Sequence, residues 1–143
     1  MIRAETELTI SRDAAHVFSY FADLRNEPHW NRGHVRAVVM TTPDPIGLGT
    51  TFEGHHPGFG KATWRIAEFV PPTQITIEGR VGSGTYRYVG RLHSLQGATV
   101  FHGSVEWEPG GPLRVFDSLL TLVLNVQARR SFRNLRIELE RAA

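Results

Sequence analysis

The sequence predicts an α+β fold in which one curved antiparallel sheet holds a long C-terminal helix. An alternating segment opens the chain, and helical spacing follows at once. About six strand-like runs then lie between turn signals, and after residue 112 the spacing is helical to the end. One helix buried against one sheet is the layer arrangement this order allows. A chain of 143 residues, 41% hydrophobic and 21% charged, is long and apolar enough to form one domain, 1–143, with its own core.

The elements follow in order. In "RAETELTI" (3–10), Ala4, Thr6, Leu8 and Ile10 share one face, and Arg3, Glu5 and Glu7 the other, the pattern of a half-buried strand. "SRDAAHVFSYFADL" (11–24) changes period, placing Ala14, Val17, Phe18 and Phe21 on one helical face. Ser11 suits the N-cap, and Asp13 suits the positive end of the helix dipole. The helix should end near Ala22. "DLRNEP" (23–28) then reads as a polar turn or short second helix, with Pro28 limiting continuation. Strands are expected at 34–41, 49–55, 61–69, 73–80, 84–93 and 98–107. Between them stand "TTPDPIGLG", "HPGFG", "PPT", "GSG" and "LQG", all turn chemistry. Short connections make neighbouring strands antiparallel. In the last helix, Phe116, Leu119, Leu120, Val123, Leu135 and Leu139 mark an apolar stripe. Its first half, within 113–126, is apolar nearly all round and so should be covered on more than one side.

Composition narrows the functional classes. Cysteine is absent, which excludes disulfides and thiolate chemistry and allows a reducing, cytoplasmic setting. The start "MIRAETELTI" lacks the pattern of a secretory leader, and "LRVFDSLLTLVLNV" (113–126) is too short and too charged to span a bilayer. The 16 bases against 14 acids leave a net charge of only +2, with no basic run interleaved with aromatics to suit nucleic acid.

The stretches "ISRDAAHVFSYFADLRNEPHWN" (10–31), "PIGLGTTFE" (45–53), "WRIAEFVPPTQITIEG" (64–79) and "GPLRVFDSLL" (111–120) carry a resemblance across essentially the whole chain. The sequence resembles the START/SRPBCC superfamily of helix-grip proteins, and most of all its small bacterial polyketide cyclase/dehydrase-like members. The resemblance implies a seven-stranded antiparallel sheet wrapped around the long C-terminal helix, with short helices after the first strand. It also implies a hydrophobic cavity between sheet and helix, used across the superfamily for sterols, lipids, polyketides, hormones or quinones. It implies that the tryptophan at position 30 packs inward near that cavity. A fold of this kind does not fix a function.

Alternation selects the side chains that could line such a cavity. Trp64 shares a face with Ala62 and Ile66, Tyr86 and Tyr88 with Leu92, Phe101 with Val105 and Trp107, and Phe52 with His56. With Trp30 and the helix residues Phe116, Leu119, Leu120 and Val123, these form the candidate ligand-binding set; the alternative for each is simple core filling. Trp30, Trp64, Tyr86 and Tyr88 combine ring area with a hydrogen-bonding tip, suiting a flat, mostly apolar ligand with a few oxygens. His56 could face the cavity as a proton donor or acceptor, or stand as a solvated loop residue. His16, His29, His34 and His93 lie among surface-looking positions. Glu53, Glu68, Glu78 and Glu106 read as outward or at a rim. Arg129, Arg133 and Arg136 recur on one helical face, either for an anionic partner or as a solvated face with Glu138 and Glu140 as local partners.

No metal-ligand spacing, nucleophile elbow or phosphate-cradling glycine loop is present, so neither metal nor cofactor is expected. Three functions remain. The first is binding of a hydrophobic small molecule such as a lipid, quinone or polyketide. The second is a cyclase or dehydratase using Tyr86, Tyr88 and His56, with no decisive catalytic group identified. The third is an interaction module, monomeric or homodimeric, built on 113–126.

Overall fold

The computed structural model describes residues 2–141, leaving out the side chain of Arg114, and contains all seven expected strands. They are Ile2–Ile10 (β1), Arg36–Met40 (β2), Thr51–His56 (β3), Gly60–Val70 (β4), Gln74–Val81 (β5), Gly84–Leu95 (β6) and Ala98–Glu108 (β7). The sheet order is β1-β7-β6-β5-β4-β3-β2, antiparallel throughout. β2 to β7 form a meander, and the N-terminal strand joins its far edge. The β6–β7 hairpin pairs Leu95 with Ala98 across Gln96 (φ 44°) and Gly97 (φ 83°). Two successive left-handed residues give the turn whose twist matches that of the strands.

Alternation sorts the faces as expected. Trp64, Ile66, Ile75, Ile77, Phe101 and Val105 are buried on the inner face. The outer face carries cross-strand ion pairs, Lys61–Glu53 at 3.3 Å, Arg65–Glu78 at 3.7 Å and Arg87–Glu68 at 3.6 Å. Exposed pairs of this kind contribute at most about 1 kcal/mol each. Two inner-face glycines let rings lie flat on the backbone. A Cβ at Gly79 would stand 2.6 Å from Trp64 Cδ1, and one at Gly103 would stand 2.8 Å from Phe132 Cζ.

The first helix (Ala14–Ala22, α1) buries Val17, Phe18 and Phe21 on the sheet. Its cap differs from expectation: Asp13, not Ser11, accepts the His16 N–H, at 3.2 Å. Ser11 instead gives its own N–H to Glu140 Oε2 at 2.9 Å, tying the end of β1 to the last helix. After a 3-10 turn at Leu24–Asn26 comes a one-turn helix, Glu27–Trp30 (α2). Pro28 opens this helix rather than ending one, because the first turn needs no proline N–H.

The last helix (Asp117–Arg141, α3) follows a 3-10 segment, Gly111–Phe116, and packs along β1 and α2. Its second half buries Ala128, Phe132, Leu135 and Leu139. Glu138 pairs with Arg32 at 2.8 Å as well as with Arg141 at 3.5 Å, so it is a tertiary contact and not only a helix-surface partner. The first half overturns the expectation of cover on several sides. Leu119, Leu122, Val123 and Val126, with Val115 and Phe116 of the preceding 3-10 segment, are all more than half exposed, from 52% to 79%. Here the helix stands off the sheet, and the gap between them is a cavity. No described helix is long and apolar enough to cross a membrane.

Candidate ligand-binding cavity

The cavity has a volume of about 390 Å³ and lies between the inner face of the sheet, α2 and the first half of α3. Strand period places the side chains of one wall: Tyr86 and Tyr88, two apart on β6, stack at 6.0 Å, and Tyr86 stacks on Trp107 of β7 at 6.2 Å. The inner end is closed by Trp30, stacked between Phe21 at 5.7 Å and Phe132 at 5.9 Å. Leu120, Val123 and Leu124 of α3 form the facing wall.

A polar strip crosses this apolar lining. Glu27 is fully buried, and its Oε1 accepts from Asn31 Nδ2 at 2.9 Å. Asn31 Oδ1 in turn accepts from Ser131 Oγ at 2.8 Å, joining α2 to α3. Asn31 and Ser131 reach the cavity, and Glu27 lies behind them. Glu27 Oε2 has no hydrogen-bond partner among the described residues. Burial pushes the Glu27 carboxyl up to about 7, opposed by the Asn31 hydrogen bond. Both tyrosine phenols are raised, by burial first and then by the negative charge of Glu27. They keep accessible surface because they face a void, yet they lie deep in the fold.

At the other end His56 lies 6.3 Å, ring to ring, from His34 and meets Phe59 edge-on at 5.1 Å. His56 Nδ1 stands 3.2 Å from the Pro57 carbonyl oxygen. Burial lowers the pKa of both histidines, and each pair partner or nearby cation adds to this: His56 and Arg130 for His34, His55 for His56. The Pro57 hydrogen bond works the other way on His56. Among the described residues no group of three or more His, Cys, Asp or Glu side chains gathers to hold a metal.

The structure divides the candidate set. Trp30, His56, Tyr86, Tyr88, Leu120 and Val123 surround the cavity. Phe52, Trp64 and Phe101 point inward but are not at the cavity: Trp64 covers Gly79, and Phe101 packs edge-on against Phe21 at 5.1 Å. Phe116 and Leu119 do not reach it and stand exposed on the outer side of the helix. Glu27, Asn31, His34 and Ser131 were not among the sequence candidates. Two of the three buried ones had a usable signal. Glu27 sits three residues before Trp30, on the same helical face, and Ser131 sits between Ala128 and Leu135 on the buried stripe.

A larger depression, about 710 Å³, lies on the outer face of the sheet. Arg65, Glu78, Arg80, Arg87 and Glu106 wall it, and it is open to solvent. Its size reflects long charged side chains standing on a curved sheet.

Comparison with solved structures gives the same fold. The chain is similar to TTHA0849 from Thermus thermophilus, with a TM-score of 0.78 at 14% identity over 99% of both chains. It is also similar to DR_A0006 from Deinococcus radiodurans, with a TM-score of 0.69 at 14% identity over 100% of both. No curated protein sequence matches the chain. The sequence profile for polyketide cyclase/dehydrase and lipid transport proteins matches residues 1–140. The chain, a seven-stranded helix-grip domain, therefore belongs to the polyketide cyclase/dehydrase and lipid transport family.

Proposed function

We propose that the protein binds a small, mostly apolar molecule in the cavity between the sheet and α3. The observation that carries this is the cavity itself: about 390 Å³, walled by stacked aromatic rings and aliphatic side chains, with a few polar groups set among them. That size and composition fit the usual range for small-molecule sites. Lipids, quinones and polyketides all present such a surface. Titration with an apolar fluorescent probe is expected to give saturable one-site binding. Val123→Trp, placed at the cavity edge, should abolish uptake with the melting temperature retained. Uptake unchanged in that variant would sink the reading.

A cyclase or dehydratase activity is the second reading, and Glu27 favours it. A carboxyl with a pKa of about 7, buried close enough to raise both cavity tyrosines, can hold or release a proton at physiological pH. Tyr86, Tyr88 and His56 would then steer a substrate that the cavity keeps folded. Turnover of a polyketide substrate that survives Glu27→Gln, Tyr86→Phe, Tyr88→Phe and His56→Ala would remove these residues from catalysis.

The third reading, homodimerisation, is favoured by the exposed stripe Val115, Leu119, Leu122 and Val126, whose 4-3-4 spacing suits a partner helix. A sedimentation mass of one 16.0 kDa chain at every concentration would remove it.

A further inference from the structure

Hydrogen-bond accounting along the cavity wall leaves two acceptors whose own hydrogens are already spent. The first is Ser131 Oγ. With Glu27 ionised, or protonated on its unpartnered Oε2, Oε1 can only accept, so Asn31 Nδ2 donates to it at 2.9 Å and this orients the Asn31 amide. Asn31 Oδ1 can then only accept, so the Ser131 hydroxyl must give it its single hydrogen, at 2.8 Å. What Ser131 has left for the cavity is lone pairs.

The second is His56 Nε2. The Pro57 carbonyl oxygen can only accept, so the contact at 3.2 Å puts the ring hydrogen on Nδ1. Burial holds His56 below the ordinary histidine range, so the ring is neutral near pH 7 and Nε2 is bare. His56 is buried and forms part of the cavity lining, as does Ser131.

A guest that brings only carbonyl or ether oxygens would set its lone pairs against these two acceptors and leave both desolvated. A buried polar group left unpaired is costlier than a pair never made. The Tyr86 and Tyr88 hydroxyls and the Gln127 amide can donate or accept, so they serve either kind of guest and do not discriminate.

We infer that the cavity selects a hydroxyl-bearing apolar molecule, which donates a hydrogen bond to Ser131 Oγ and, where it has a second hydroxyl, to His56 Nε2. This rests on the cavity being the binding site. It narrows the ligand class to alcohols and phenols, including the reduced rather than the oxidised form of a quinone-type ring.

The test compares 2-naphthol, 2-methoxynaphthalene and 1,4-naphthoquinone by isothermal titration calorimetry. Simple burial favours the methyl ether, which is the more apolar of the first two, so the sign of the preference is diagnostic. The naphthol should bind about tenfold or more tighter than the ether and the quinone, the scale of one well-made buried hydrogen bond. Ser131→Ala and His56→Phe remove the two acceptors separately, and at least one of them should bring the naphthol-to-ether ratio close to unity. An ether or quinone that binds as tightly as the naphthol would overturn the inference. So would a tenfold ratio that persists in both variants. Failure of all three compounds to bind would remove the cavity reading together with this one, and so is distinct from loss of the preference alone.

Discussion

The two ends of the C-terminal helical region have opposite fates: residues 115–126 are the more apolar, yet they are the more exposed. From Leu124 to Leu139 the stripe Leu124, Ala128, Phe132, Leu135 and Leu139 is buried where the helix packs along β1 and α2, while Val126 and Ile137 lie off it and are exposed. From Val115 to Val126 the apolar residues point in several directions, and most are more than half exposed. Periodicity tells where an apolar face goes only when a broad opposite face is polar. The arginines of the second half leave its apolar stripe a single direction, inward. In the first half only the narrow line of Asp117, Ser118, Thr121 and Asn125 is polar, the remaining circumference is apolar, and the sheet can meet only part of it. Across the rest it borders a cavity or solvent, the two places where a guest or a second chain could cover it.

The largest test of this contrast lies on the packed side. Trp30→Ala should cost about 3–5 kcal/mol, because the ring is buried between Phe21 and Phe132. Leu135→Ala, on the buried stripe, should cost about 2–5 kcal/mol. Urea denaturation measures both. A cost under 1 kcal/mol at either site would mean that this side is not a close-packed core.

The next effect sharpens the border between core and cavity. Glu27 has its pKa raised from 4.5 to about 7 in the fold, so the folded state keeps a proton that the unfolded chain releases in that window. Its contribution is fully favourable below pH 4.5 and is lost as pH rises through about 7. The loss is on the order of 3 kcal/mol. Glu27→Gln cannot ionise, so its melting temperature should exceed that of the parent at pH 8, with the gap closing toward pH 4.5. A gap that stays constant with pH would show that Glu27 titrates normally.

The smallest effect belongs to the exposed side. Leu122→Ala should change stability by no more than about 0.5 kcal/mol, because 64% of the side chain is already in water. A cost approaching that of Leu135→Ala, or one that grows with protein concentration, would mean that a second copy covers the stripe in solution.

Much of the fold was legible because its signals are local. Alternation placed Tyr86 and Tyr88 together and turned Trp64 and Phe101 inward, and glycine- or proline-containing turns marked each hairpin. The candidate site was legible only in part. Alternation says that a side chain faces inward, not whether it meets other atoms or a void, so Phe52, Trp64 and Phe101 looked the same as Tyr86 and Tyr88. A glutamate within "RNEP" reads as solvated from its neighbours alone. The burial of Glu27 follows from the position of Trp30 three residues later, which turns that face of α2 into the core.

Spacing along the chain was enough to place the order of the elements, the inward and outward faces of the strands, and the buried end of the last helix at Leu135 and Leu139, but not the exposed Phe116, Leu119 and Val123. Each depends on spacing within one segment, which the backbone geometry converts directly into a face. The tertiary structure alone decided that β1 pairs with β7, that α3 stands off the sheet ahead of Leu124, and that Glu27, Asn31 and Ser131 form one chain of hydrogen bonds. These features arise where segments distant in sequence meet, and there the limited area of one sheet sets what is covered and what is left as a cavity.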